Sequence, residues 1–302
     1  MRIAMTYARL RLEEQMLIDA FESIGVDITP VDIREVVFDP ANSAEWSQFD
    51  AVIDRSLSLT NTLNSVRILE SFGVRCINPL AAIQICSDKL ATTIALIDAG
   101  VPTPEVRIAT NAKSGVEAVS QLGYPSVIKP TVGSWGRLVA RMNDQDAAEA
   151  ILEHRETLGS VTQNVFYIQE HINKPQRDIR VFVIGGVPVA AIVRSSPHWV
   201  TNTARGAVVE GLELTQELCD LSVRAVRSTG ADIAAVDLLE CPDRGLLVNE
   251  LNHSMEFRNS IETTGVDIAK LVAAHVREIA EQHRNSRHLS FANTLAPETA
   301  EL

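Results

Sequence analysis

This sequence predicts an α/β chain that continues into α+β lobes, on three observations. Strand-like and helix-like segments alternate from the first residues onward. The chain has 302 residues, too many for one small core and enough for two or three lobes. Its later half carries short apolar segments joined by tight turns, two of them with acids at their centres. Hydrophobic residues make up 46% and charged residues 22%, an ordinary balance for a globular protein.

In the N-terminal part, RIAMTY (2–7), VDITPVDI (26–33), DAVIDRS (50–56) and GVRCINP (73–79) have the β-branched and apolar content of strands. They alternate with a helix over 10–25 that ends at Gly25 and another around 61–72. Repeated βα units of this kind imply a parallel sheet covered by helices. The turn after RIAMTY lacks GxGxxG, which disfavours dinucleotide binding there.

Ser87 and Asp88 then cap a helix that starts near Lys89 and stops at Gly100, with Val101 to Pro104 as an extended connector. A helix over about 113–122 ends at Gly123. Strand PSVIKP (125–130) leads into the loop TVGSWGR (131–137), and LVARM (138–142) returns as its hairpin partner. A helix over 144–158 follows, then strands VFYIQEHI (165–172), DIRVFVIGG (178–186) and VPVAAIVRSS (187–196). A helix within 209–230 stops at Gly230. The last helix spans about 266–284, and from 285 to 302 the chain loses periodicity, which predicts a mobile tail.

The most informative segments are AVDLL (235–239) and LLVNELN (246–252), two strands joined by the turn Asp243-Arg244-Gly245. Side chains alternate along a strand, so Glu250 and Asn252 face one side and Leu251 the other. Asp237 on the neighbouring strand brings a second carboxylate. An oxygen-only set of this kind suits Mg²⁺, which usually binds beside nucleotide phosphates. Two edge strands with solvated acids are the alternative.

Lys129 closes a strand ahead of Gly133, Ser134, Trp135, Gly136 and Arg137. Glycines let amide N–H groups cradle an anion, and lysine adds a point charge for phosphate; an ordinary turn has the same composition. Lys89 at a helix start is a second candidate. Gln169, Glu170, His171 and Ile172 end an apolar strand where backbone groups could pair with a purine edge and Glu170 could accept from a ribose hydroxyl. Arg180, Arg194 and Arg205, with Asn202 in TNTARGA, lie on or near the following strands. Arginines entering a sheet that also carries Asp237 and Glu250 indicate a charged groove, with surface salt bridges as the competing account.

The order of these features resembles the ATP-grasp superfamily of carboxylate–amine ligases. The resemblance covers roughly 80–283, behind a Rossmann-like pre-ATP-grasp lobe. SDKLATTIALIDAGVPTP (87–104), GYPSVIKPTVGSWGRLVA (123–140), DIRVFVIGG (178–186), NTARGA (202–207) and VNELNHSMEFRNSIETTGVDIA (248–269) fit its RimK-like branch. The GSWGRL and MEFRN stretches are similar to the LysX ligases within it. That resemblance implies a pre-ATP-grasp domain over 1–83, a central subdomain with the glycine-rich loop over 84–166, a C-terminal subdomain with the metal site over 167–284, and the tail. It implies that Lys89, Lys129, residues 133–137 and Arg180 serve ATP, and that Gln169 to Ile172 hold adenine and ribose. Asp237, Glu250 and Asn252 would ligate Mg²⁺, with two ions expected. Arg194, Asn202 and Arg205 would act on phosphate or the acyl-phosphate. Phe257, Arg258 and Asn259 would recognise an amino acid, α-aminoadipate or glutamate, which differ by one methylene worth about 1–3 kcal/mol. The implied partner is LysW, a small acidic carrier whose C-terminal glutamate is activated, in lysine biosynthesis; a homodimer or homotetramer is also implied. Glutamate addition to a protein tail, as in RimK, and a nucleotide-binding scaffold without catalysis are the other readings.

Bulk charge narrows the partners. The chain has 27 Lys+Arg against 39 Asp+Glu, a formal net charge of −12, which argues against a nucleic-acid binder. Cys76, Cys86, Cys219 and Cys241 show no CxxC or metal spacing. With no signal peptide and no apolar run near the ~20 residues of a membrane span, a cytoplasmic protein with inert thiols is expected.

Overall fold

A computed structural model describes residues 1–133, 136–159, 164–201 and 206–294, with side chains through Arg287. The chain divides into two compact units. The first comprises Met1–Leu80, Glu256–Arg258 and the segment from Asp267 onward; the second comprises Ala81–Met255 and Asn259–Val266.

The first unit opens with β1 (Arg2–Tyr7), α1 (Leu12–Ser23), β2 (Asp27–Asp32), β3 (Ala51–Arg55), α2 (Leu59–Ser71) and β4 (Cys76–Ile77). The strands form a parallel sheet in the order β2-β1-β3-β4. The parallel βα arrangement expected from the sequence is what folds here. Residues Ile3, Ala4 and Met5 of β1 are fully buried, since strands covered on both faces read as continuous apolar runs. Ser58 caps α2 by accepting from the Asn61 amide.

The second unit starts with α3 (Leu80–Ser87), α4 (Lys89–Asp98), β5 (Val106–Ala109), α5 (Ala112–Leu122), β6 (Ser126–Lys129), β7 (Ala140–Met142), α6 (Gln145–Leu158) and β8 (Phe166–Glu170). The short edge strand β5 was not expected; its pairing with β8 decides its conformation. These strands form an antiparallel sheet, β5-β8-β6-β7. Its apolar face packs on α5 and α6 through Val119, Leu152, Ile128, Phe166 and Ile168.

Then come β9 (Arg177–Ile184), β10 (Val187–Ser195), β11 (Val208–Leu212), α7 (Gln216–Thr229), β12 (Ile233–Cys241), β13 (Gly245–Asn252) and α8 (Arg258–Thr264). The five strands make a second antiparallel sheet in the order β11-β10-β9-β12-β13. Its inner face carries Val181, Val183, Val236, Leu238, Val248 and Leu251, packed with Leu96 of α4 and Leu221 and Val226 of α7. As expected, α7 ends at Gly230, whose φ of 71° is the left-handed conformation that a helix C-terminus favours.

The chain returns to the first unit with α9 (Ile268–Thr294). Ile268, Val272, Ala273, Val276 and Ala280 are buried at the i, i+4, i+8 spacing of one helix face, and the helix packs on α1 and β3. The sequence expects this helix to end near Arg284, yet it continues to Thr294. Polar contacts replace the apolar stripe. His283 Nε2 lies 3.0 Å from the Gly73 carbonyl, and Arg287 donates to the Ser47 carbonyl at 3.4 Å.

Candidate functional site

One end of the outer face of the five-stranded sheet is charged, because Asp178 and Arg180 of β9, Arg194 of β10 and Asp237 of β12 fall on it. Register aligns Arg180 with Asp237, and Asp237 with Glu250, in one row across three strands. Arg180 grips the Asp237 carboxylate with two hydrogen bonds, Nε to Oδ1 at 2.7 Å and a terminal nitrogen to Oδ2 at 2.8 Å. Arg194 adds a third contact at 3.2 Å and donates its Nε to Asp178 at 2.7 Å. Burial alone would raise the Asp237 pKa, but the two guanidinium groups outweigh it and hold the carboxyl well below the usual range. Burial likewise opposes charge on Arg194, yet Asp237 and Asp178 keep it firmly protonated. These are buried, coupled pairs and not surface salt bridges.

A bulge governs what β13 presents. Asp237 pairs with Glu250 while Leu238 pairs with Val248, so Asn249 is an extra residue. Val248 and Leu251 both sit in the core although three residues apart, which strict two-residue alternation forbids. The result frees both Asn249 and Glu250 from the core face. Asn249 Oδ1 accepts from Lys129 Nζ at 3.1 Å and from Gln169 Nε2 at 3.3 Å. Lys129 Nζ also donates to Gln169 Oε1 at 2.8 Å. Burial draws the Lys129 ammonium down to about 8; Glu250 opposes that drop, and the charges of Lys89 and Lys174 add to it.

Lys89 opens α4 behind Asp88, whose side chain caps the amides of Leu90 and Ala91 at 2.8 and 3.1 Å. The Lys89 amide donates to the Thr131 carbonyl at 2.8 Å, and its Nζ to the Gly133 carbonyl at 2.7 Å. A lysine at the start of α4 is thus tied to the beginning of the glycine loop. Gly133 has a φ of 153°, and a Cβ there would meet Pro130 Cγ at 3.2 Å. Gly136 follows at a φ of 63°, and Arg137 is exposed beside it. Ser134, Trp135, Asn202 and Arg205 lie outside the described residues.

A buried lysine whose charge is opposed by burial and by Lys89 and Lys174, beside two carboxylates and an amide, suits a polyanion that brings a divalent cation. The RimK-like ATP-grasp domain matches residues 86–276, and the LysX pre-ATP-grasp domain matches residues 3–85. The chain belongs to the RimK-like ATP-grasp family. It is similar to the glutamate–LysW ligase ArgX of Sulfurisphaera tokodaii, 32% identical over 280 residues, covering 92% of this chain and 99% of that one. The α-aminoadipate–LysW ligase LysX of the same organism is 32% identical over 281 residues, with the same coverage. A RimK domain ATP-grasp protein from Sphaerobacter thermophilus superposes with a TM-score of 0.75 at 28% identity, over 91% of this chain and 99% of its own. The chain is thus an ATP-grasp ligase, a family that forms carbon–nitrogen bonds with ATP. No helix among the described residues is long and apolar enough to cross a membrane.

In this ATP-grasp ligase the expected residues Lys129, Gln169, Arg180, Arg194, Asp237 and Glu250 come together around the outer face of the second sheet. Asn252 joins them, its Nδ2 3.4 Å from Asp237 Oδ2. Glu170 is differently engaged. Its Oε1 accepts the Glu105 amide at 2.6 Å and pairs with Arg244, leaving that oxygen committed within the protein. His171 packs against Trp199, their ring centroids 6.1 Å apart, with the Arg141 guanidinium 5.7 Å from the Trp199 centroid. Ile172 is buried. Phe257 and Arg258 fall in the first unit and Asn259 in the second. Phe257 is fully buried, whereas Arg258 is half exposed, with Nε 3.6 Å from the buried Glu13 carboxylate.

Sequence reasoning missed Asn249, Asp178 and Lys174. Asp178 accepts from Arg194 and from Thr201, and Lys174 stands 3.6 Å from it. The charge pattern of DIRVFVI could have suggested Asp178, because Asp178 and Arg180 share a strand face. Among the described residues no group of three or more His, Cys, Asp or Glu side chains forms a metal cage. Two carboxylates and one amide are instead the sparse oxygen set that Mg²⁺ uses when phosphates and water complete its shell, and in that sense the residues fit it. The thiols are all free; burial pushes Cys86 up to about 11 and Cys76 higher still, so both are inert.

Proposed function

We propose that this ligase uses ATP to activate the C-terminal glutamate side chain of a small acidic carrier of the LysW type and joins it to the α-amino group of α-aminoadipate. The single observation that supports the nucleotide part is Lys129, held by Gln169 and Asn249 and sensing the charge of Glu250 from the strand pair that also carries Asp237 and Asn252, with Lys89 tied to the glycine loop. The carrier and amino acid rest on the relatives named LysX and ArgX, each aligned over 92% of this chain.

A carboxylate resists amine attack because it is anionic and its oxygen leaves poorly. In the proposed reaction that oxygen takes the terminal phosphoryl group of ATP, with departure of ADP. The amine then attacks the acyl carbon, phosphate leaves, and the amine gives up a proton. The protein's share is position and charge. Lys89 and Lys129 would bind phosphate oxygens, and residues 133–137 would cover them. Gln169 to Ile172 would hold the base through their backbone groups, since the Gln169 side chain is engaged by Lys129 and Asn249 and one Glu170 oxygen by Glu105 and Arg244. Arg194 would face the transferred group, together with Asn202 and Arg205. Asp237, Glu250 and Asn252 would hold Mg²⁺, which when bound neutralises phosphate charge. Phe257, Arg258 and Asn259 would read the amino acid; the Arg258 guanidinium suits a bidentate carboxylate contact.

Glutamate in place of α-aminoadipate is the second reading, because relatives of both names are 32% identical to this chain. Release of ADP, measured with carrier, ATP and each amino acid in turn, separates the two. Turnover with α-aminoadipate supports the proposal, and turnover with glutamate alone overturns its choice of amino acid. Nucleotide binding without turnover for either pairing rejects the ligase assignment of substrates altogether.

A further inference from the structure

We infer that Asn249 is a positioning residue for the nucleotide: it fixes the Lys129 ammonium and the Gln169 amide so that the lysine's remaining N–H faces the phosphates. The inference rests on the reading of Lys129 as a phosphate ligand.

The argument begins with the bulge. A regular β13 would send Asn249 to the core face with Leu251, out of reach of Lys129. The register shift opposite Asp237 and Leu238 turns it outward beside Glu250. Bulges of this kind re-aim a side chain at some cost to the ladder, so what the re-aimed residue touches matters. Asn249 touches two residues of the neighbouring sheet, one on β6 and one on β8.

Donor and acceptor counting then fixes the arrangement. An ammonium has three N–H donors and no acceptor. Lys129 spends two of them, on Gln169 Oε1 and Asn249 Oδ1. Gln169, buried at 3% exposure, must turn its oxygen to the lysine, which aims its Nε2 at Asn249 Oδ1. The three side chains close a ring in which Asn249 Oδ1 accepts twice. Neither amide can flip without setting donor against donor. One lysine N–H is left over, and its direction is set by the other two. A lysine side chain without these partners would search several rotamers and would lose that freedom on binding.

Asn249 is distinct in role from Glu250 although adjacent to it: its contacts are to Lys129 and Gln169, and they do not need the metal. The test is a double-mutant cycle on ADP binding without added divalent ion, using Asn249→Leu, Lys129→Met and the pair. Asn249→Leu is expected to raise the dissociation constant about tenfold while leaving the KM for the amino acid unchanged. In the Lys129→Met background the same change is expected to have no further effect, because Asn249 acts through the lysine. Fully additive losses would overturn the inference, as would an unchanged dissociation constant in Asn249→Leu. If Lys129→Met itself binds ADP normally, the phosphate-ligand reading fails, which is a separate result. Asn249→Ala, which adds no volume beside the core, serves as the second variant if the leucine protein unfolds, with the same expected and contrary outcomes.

Discussion

The depressed charge of Lys129 couples nucleotide binding to protons. An unperturbed lysine titrates near 10.4, whereas Lys129 is drawn down to about 8, chiefly by burial. The gap is roughly 2 units, or about 3 kcal/mol at ~1.36 kcal/mol per unit. In the protein alone that energy opposes folding with the amine charged. Between about pH 8 and pH 10.4 the unfolded chain holds one more proton than the folded one, so this group's contribution to stability rises with pH across that window. A bound phosphate favours the ammonium and reverses the shift. Nucleotide binding should then take up the missing proton: about 0.1 at pH 7, about 0.5 at pH 8 and about 0.9 at pH 9, the neutral fractions for a group titrating near 8. Calorimetric titration with ADP, repeated in buffers of different ionisation enthalpy, reads this uptake as the slope of observed heat against buffer enthalpy. Above pH 8 the affinity should also fall by up to tenfold per unit. A slope that stays flat from pH 7 to pH 9, or one that persists in Lys129→Met, refutes the reasoning.

Three further outcomes follow from the same contacts. Glu250→Ala should abolish turnover while its circular dichroism stays that of the parent, and parental rates would contradict the metal role. Arg194→Met removes a buried partner from both Asp178 and Asp237; because Arg180 and Lys174 remain, the loss should be about 3 kcal/mol, at the low end for a broken buried pair. Thermal unfolding would report it as a fall of roughly 5–10 °C, and an unchanged midpoint would count against the coupling. For Arg258→Ala, steady-state kinetics should show a raised KM for the amino acid with the KM for ATP nearly unchanged, whereas equal losses would argue against its placement with the amino acid.

Elements whose residues supply their own reason to form were legible in the sequence. The strand β1 was read to the residue, because its apolar run is bounded by polar turns and needs no partner to explain it. Asp88 as the cap of α4 follows from side-chain chemistry within one helical turn. That β12 and β13 are neighbours, each bringing an acid, followed from one short turn, while the exact pairing of Asp237 with Glu250 depends on the bulge. Elements whose stability comes from elsewhere were not legible. The strands β5 and β11 are edge strands of four and five residues, and only β8 and β10 give their backbones partners. The end of α9 is held by contacts to Gly73 and Ser47, more than two hundred residues away in sequence.

The site divides along the same line. Charged residues at strand centres announce themselves, since an apolar strand seldom carries them without a function. Asn249 did not, because the alternation rule that placed Glu250 and Asn252 on one face also sends Asn249 to the other. That rule holds only while the ladder is regular, and nothing in VNELN marks where the extra residue enters. The marker lies in the partners: Val248 and Leu251 must both reach the apolar layer against α4 and α7, and three residues can connect two inward positions only through a bulge. The core's demand for those two side chains therefore turns an asparagine toward Lys129 and Gln169. Packing on the apolar face of the sheet thus sets the hydrogen-bonding on its polar face. Val248→Ala should therefore raise the dissociation constant for ADP as well as lower the thermal midpoint, and an unchanged constant in a destabilised protein would count against this link.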